Sequence, residues 1–156
     1  MIYGTYLGGS EFNWASGIAV NASGNSYVSG QTTSPDFPLV NPIQGAFAGA
    51  SDAFISEIGP TGMSLPFSTL YGGTKADAAG AIAVDSFGNI FVGGQTSSVD
   101  LHTVAPFQPV NSAGATGWLT RLGSGGPSSS ARAEFVRLDI TTQGSWKGVY
   151  GTDGYK

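Results

Sequence analysis

The side chains able to do chemistry are few: one histidine, ten Asp or Glu, and no cysteine. The histidine, His102, lies two residues after Asp100, close enough in sequence for a carboxylate to orient an imidazole. A general base also needs a nucleophile, and no Gly-x-Ser-x-Gly elbow occurs. Asp36 and Asp100 stand 64 residues apart in similar surroundings. Paired-carboxylate catalysis would need a raised-pKa acid beside an ionised partner. Ser34-Pro35-Asp36 and Ser98-Val99-Asp100 fit better as turns in which the side chain bonds its own backbone. Trp14 offers a flat aromatic face, for stacking on a sugar ring or for packing beneath a loop. Without cysteine, thiolate nucleophiles, disulfides and Cys-ligated zinc are excluded, and a single histidine excludes a His-based metal cluster. Asp85-Ser86-Phe87-Gly88-Asn89 lacks the spaced oxygens of a calcium loop and reads as a hairpin turn. Gly8-Gly9 and Gly72-Gly73 end strands and open no helix, which argues against a phosphate cradle. The candidate binding residues are Trp14, Asp36, Phe37, Asp100 and His102; no catalytic residue, metal site or cofactor is expected.

The spacing of 64 extends far beyond the two aspartates. Residues 3–59 align with 67–123 without a gap, and about one position in three is identical. Gly8-Gly9 matches Gly72-Gly73, Ile18-Ala19-Val20 matches Ile82-Ala83-Val84, and Gly30-Gln31-Thr32 matches Gly94-Gln95-Thr96. Each unit reads as a meander of short strands separated by turn residues, expected at 17–21, 26–31, 52–58 and 65–71, then 81–85, 90–95 and 117–122. Segment 2–7 reads as a fourth strand without its preceding three. Phe54-Ile55 and Trp118-Leu119 put apolar residues on both faces of a strand, so each sheet must be covered front and back. Stacked four-stranded meanders satisfy that demand, and the expected fold is all-β, a pair of β-propeller blades. By strand parity the loops 8–16 and 32–51 share one rim, as do 72–80 and 96–115, and such loops are the usual seat of binding. Glu11, Asn13, Gln44, Asp77 and Gln108 lie on them too.

These residues resemble a bacterial β-propeller repeat family, SBBP. The resemblance rests on Thr5-Tyr6-Leu7-Gly8-Gly9-Ser10, Gly17-Ile18-Ala19-Val20, Ser23-Gly24-Asn25-Ser26-Tyr27-Val28-Ser29-Gly30, Ser34-Pro35-Asp36-Phe37-Pro38 and Asp52-Ala53-Phe54-Ile55, and on Ile82-Ala83-Val84-Asp85-Ser86-Phe87-Gly88-Asn89 in the second copy. It covers about 3–123. The second copy departs at Asp100-Leu101-His102, where the family has Asp-Phe-Pro, and at Gly117-Trp118, where it has Asp-Ala-Phe. The resemblance implies a propeller fold in a secreted or cell-surface bacterial setting, with no single activity.

Charged residues make up 10% of the chain and the formal net charge is −4, so a basic surface for nucleic acid is not expected. No run approaches the roughly 18 apolar residues of a membrane span. The start of the chain lacks the charged and apolar regions of an export signal. The expected organisation is a two-blade segment at 1–123, a Gly/Ser/Pro linker at 124–130 and the beginning of a second β-rich module at 131–156, weakly similar to segments of bacterial secreted multidomain proteins. Two blades cannot close a ring of four to eight, so further blades of a larger propeller, or self-association of copies, are expected. The expected role is a non-catalytic extracellular scaffold or binding module, its partner a protein or glycan. The alternatives are part of a propeller lyase or glycosidase, and a purely structural surface-layer or adhesin repeat.

Overall fold

The structure, a computed structural model, describes residues 1–112 and 114–123. The expected linker and second module lie outside these residues. Seven strands form: β1 Asn13–Val20, β2 Ser26–Thr32, β3 Asp52–Ile58, β4 Phe67–Tyr71, β5 Asp77–Val84, β6 Ile90–Thr96 and β7 Thr116–Leu122. They make two antiparallel sheets, ordered β1-β2-β3-β4 and β5-β6-β7, and no helix occurs among the described residues. The fold is all-β, two successive blades of a propeller.

The tight turn after the first strand of each sheet follows from an Asn or Asp side chain and a glycine. Asn21 Oδ1 accepts hydrogen bonds from Ser23 N and Asn25 N at 3.0 Å each, while Gly24 takes the left-handed φ of 82° that a side chain would resist. Asp85 does the same for Phe87 N and Asn89 N, with Gly88 at φ 81°. The hairpin expected at 85–89 is therefore present in both copies.

β1 and β5 begin four residues earlier than the apolar runs at 17–21 and 81–85 predict, because each contains a bulge. The register shifts between Ala15 and Gly17 in β1, and between Ala79 and Ala81 in β5. A bulge resets the side-chain alternation. Ala79 and Ile82, three residues apart, consequently pack into the same core.

Two apolar layers result. Tyr27, Ala53, Ile55 and Tyr71 on the front of the first sheet pack against Ala79, Ile90 and Val92 on the back of the second. Phe54 and Leu70 point to the back of the first sheet, where Phe37, Leu7, Leu39 and Phe47 cover them. The adjacent residues Phe54 and Ile55 thus serve opposite faces, as expected of a sheet buried on both sides.

One expected strand is absent. Segment 2–7 forms no ladder, because among the described residues no sheet stands beside it to pair with. It nevertheless lies where a fourth strand would. The repeat equates Tyr3 with Phe67 and Leu7 with Tyr71; Tyr3 Oη shares a hydrogen bond of 3.0 Å with Ser26 Oγ, and Leu7 packs on the back of the first sheet. In the second copy Tyr71 packs against Trp118 in the same manner, ring centroids 4.9 Å apart.

Candidate binding surface

The long loops meet on one rim, and hydrogen bonds explain why. Asp36 Oδ1 accepts from Ser10 N at 2.9 Å and Ser10 Oγ at 3.0 Å, while Ser34 Oγ accepts from Glu11 N at 2.9 Å. In the second copy Asp100 Oδ1 accepts from Thr74 N and Thr74 Oγ1, both at 3.0 Å, and Ser98 Oγ from Lys75 N at 2.9 Å. Each aspartate therefore clasps the loop before one sheet to the loop between its second and third strands. These bonds hold both carboxyls below the ordinary carboxylate value, those from Ser10 at Asp36 and those from Thr74 at Asp100. A group held ionised in this way is an acceptor of hydrogen bonds and is unsuited to donate a proton.

The other candidates separate. Phe37 is buried: it is 3% exposed and stacks on Phe54 with centroids 4.6 Å apart, because its loop folds down over the back of the first sheet. Trp14 is exposed, and its ring lies 6.5 Å from that of Phe12, nearly parallel at 14°. The His102 side chain is exposed, and its carbonyl accepts from Tyr71 Oη at 2.6 Å.

His102 also borders a cleft of about 780 Å³, which Tyr71, Leu101, Val104, Phe107 and Trp118 help to line. Its origin is visible by comparing the copies. In the first sheet the corresponding loop is bridged to β4, Val40 to Ser68 and Gln44 to Leu70, and Thr69 Oγ1 accepts from Ile43 N and Gln44 N. Gln44 adds bonds to Asp52 Oδ2 and from Gly72 N. Among the described residues the second sheet ends at β7, and the Gln108 side chain bonds within its own loop, to Val110 O at 3.0 Å. The cleft occupies the slot that a fourth strand fills in the first sheet.

Two features escaped the reading by residue type. On the front of the second sheet Leu119 is 77% exposed and Phe91 36%, whereas their counterparts Ile55 and Tyr27 are 0% and 5%. Arg121 lies over the Phe91 ring at 5.8 Å. At the seam between the sheets Asp52 and Asp77 are both buried. The Asp52 carboxyl is pushed up to about 6, by burial first and with the charge of Asp77 adding, against the hydrogen bonds from Ala48 and Gln44. The equivalence of Leu119 with Ile55 was available from the repeat alignment; the pairing of Asp52 with Asp77 was not.

Residues 67–102 match the family model of the SBBP β-propeller repeat, a stretch that runs from β4 through β5 and β6 into the Asp100 loop. None of the curated proteins matches the chain.

Proposed function

We propose that this chain, which carries an SBBP β-propeller repeat, acts as a non-catalytic scaffold or binding module in an extracellular or cell-surface setting. Its partner is a protein surface received on the front and outer edge of the second sheet. One observation carries the reading: Leu119 is 77% exposed at the position where Ile55 is fully buried by a neighbouring sheet. An apolar sheet face beside a strand edge that is unpaired among the described residues favours another β-sheet as the occupant, either a further blade or a second copy. The carboxylates Asp36 and Asp100 clasp loops, which removes those two residues from the acid role that the propeller-enzyme alternative would give them.

Light scattering across a concentration series tests this. The chain associates as concentration rises, and Leu119→Glu, which puts a charge on the face, stays monomeric with an unchanged melting temperature. A wild-type chain that remains monomeric throughout would eliminate the second copy as occupant. A second reading rests on the exposed Phe12–Trp14 pair, whose parallel rings suit a sugar face. Glycan binding lost on Trp14→Ala, with association unaltered, would support it.

A further inference from the structure

The two copies solve one local problem differently. At the start of β1, Asn13 Oδ1 accepts from Thr32 Oγ1 at 2.8 Å, Ser34 Oγ at 3.1 Å and Gly9 N at 3.4 Å. Its amide nitrogen donates to Gly9 O at 3.1 Å and Glu11 O at 2.7 Å. The repeat puts Asp77 in this place in the second sheet. Asp77 Oδ2 reproduces the acceptor half, taking Gly73 N at 2.7 Å and Ser98 Oγ at 2.8 Å. The other oxygen, Oδ1, then stands where the first copy has an N–H donor. The carbonyls equivalent to those of Gly9 and Glu11 are Gly73 O and Lys75 O. An acceptor has replaced a donor, and Asp77 Oδ1 is buried with no hydrogen-bond partner.

A second carboxylate meets it there. Asp52 is 0% exposed and Asp77 1%. Asp52 Oδ2 accepts from Gln44 Nε2 at 2.8 Å and Ala48 N at 3.0 Å, but Oδ1 is also buried without a partner. Both carboxylates crowd Gly72: a Cβ built there would lie 2.5 Å from Asp52 Oδ1 and 3.1 Å from Asp77 Oδ2. Inter-sheet bonds fix the arrangement, Ala50 N to Lys75 O at 2.9 Å and Asp77 N to Ser51 O at 2.8 Å. The repeat counterparts of the pair are Asn13 and Thr116, both uncharged. The two acids therefore coincide only at the seam where the sheets meet.

Two adjacent buried carboxylates, each with an orphaned oxygen, are costly unless something satisfies them. A shared proton neutralises one; a cation would satisfy both. We propose that Asp52 and Asp77 hold a hard divalent cation of the calcium class at the seam, with Gly73 O and Lys75 O as further oxygen ligands and water completing the shell. Among the described residues no three His, Cys, Asp or Glu gather in one place, so the ligands beyond the two carboxylates are backbone and solvent. An all-oxygen set excludes the thiolate- and imidazole-seeking metals.

The test compares the full chain with Asp77→Asn, which recreates the Asn13 arrangement and so keeps the fold. After treatment with chelator, the wild type titrated with calcium chloride or magnesium chloride should bind one ion per chain. Its melting temperature should rise by at least about 4 °C at saturating calcium. Asp77→Asn should give no binding heat and no shift, and should melt above the wild type in chelator. Calcium binding retained in Asp77→Asn overturns the proposal. So does a wild type indifferent to both cations, which would leave a shared proton as the group between the carboxylates.

Discussion

At the scale of single residues, the same amino acid does three different things according to what surrounds it. Asp85 closes a hairpin, Asp36 and Asp100 clasp loops, and Asp52 is buried at a seam. The clasps make a pH prediction. Because the folded-state values of Asp36 and Asp100 lie below the ordinary 3.8, the folded chain releases these protons more readily than the unfolded chain. Their stabilisation is present above that value and is lost as pH falls through the lowered one. Asp100→Ala should accordingly melt below the wild type at neutral pH, and the gap should close as the pH drops beneath 3.8, as followed by thermal denaturation. A gap that persists in acid would mean that the loop is held by something other than the carboxylate.

At the scale of elements, glycine and the bulges decide what the strands can be. A Cβ on Gly30 would collide with the carbonyl oxygen of Trp14 and touch the Phe54 ring, while one on Gly80 would meet only Gly93 O at 3.7 Å. Gly30→Ala should therefore destabilise by more than the about 1–3 kcal/mol of ordinary overpacking, and Gly80→Ala by no more than about 0.5 kcal/mol, measured by denaturant unfolding. The meander and its turns were legible because β-branched and aromatic runs are separated by turn signals, Gly24-Asn25 and Gly88-Asn89 at the repeat spacing and Gly59-Pro60-Thr61-Gly62 between β3 and β4. The first halves of β1 and β5 were not, since Asn13-Trp14-Ala15-Ser16 and Asp77-Ala78-Ala79-Gly80 carry no strand-like run and the bulge breaks their alternation. Segment 2–7 had the composition of a strand but lacked the neighbour that would make it one. The burial of Phe37 was illegible for a related reason: parity puts its loop on a rim, but only packing reveals that the loop lies back over Phe54 and Leu70. Asp52 gave no warning, because a lone acid opening a strand becomes unusual only when another chain segment brings Asp77 beside it.

At the scale of the whole molecule, equivalent positions carry unequal energy. Ile55→Ala empties a site buried between two sheets and should cost about 2–5 kcal/mol, whereas Leu119→Ala at the matching exposed position should change stability by no more than about 0.5 kcal/mol. Chemical denaturation of both variants checks the pair, and equal losses would show that the second front is covered. The contact between the sheets has a further consequence. It joins the Tyr27 side of one sheet to the Val92 side of the next, two surfaces with different residues. Such a junction is heterologous and contains no twofold axis. Every unit added through it presents a fresh copy of the surface just consumed, so growth has no preferred stopping point at a pair. It ends only where the turn per unit brings the last member back to the first, and otherwise it continues as an open filament.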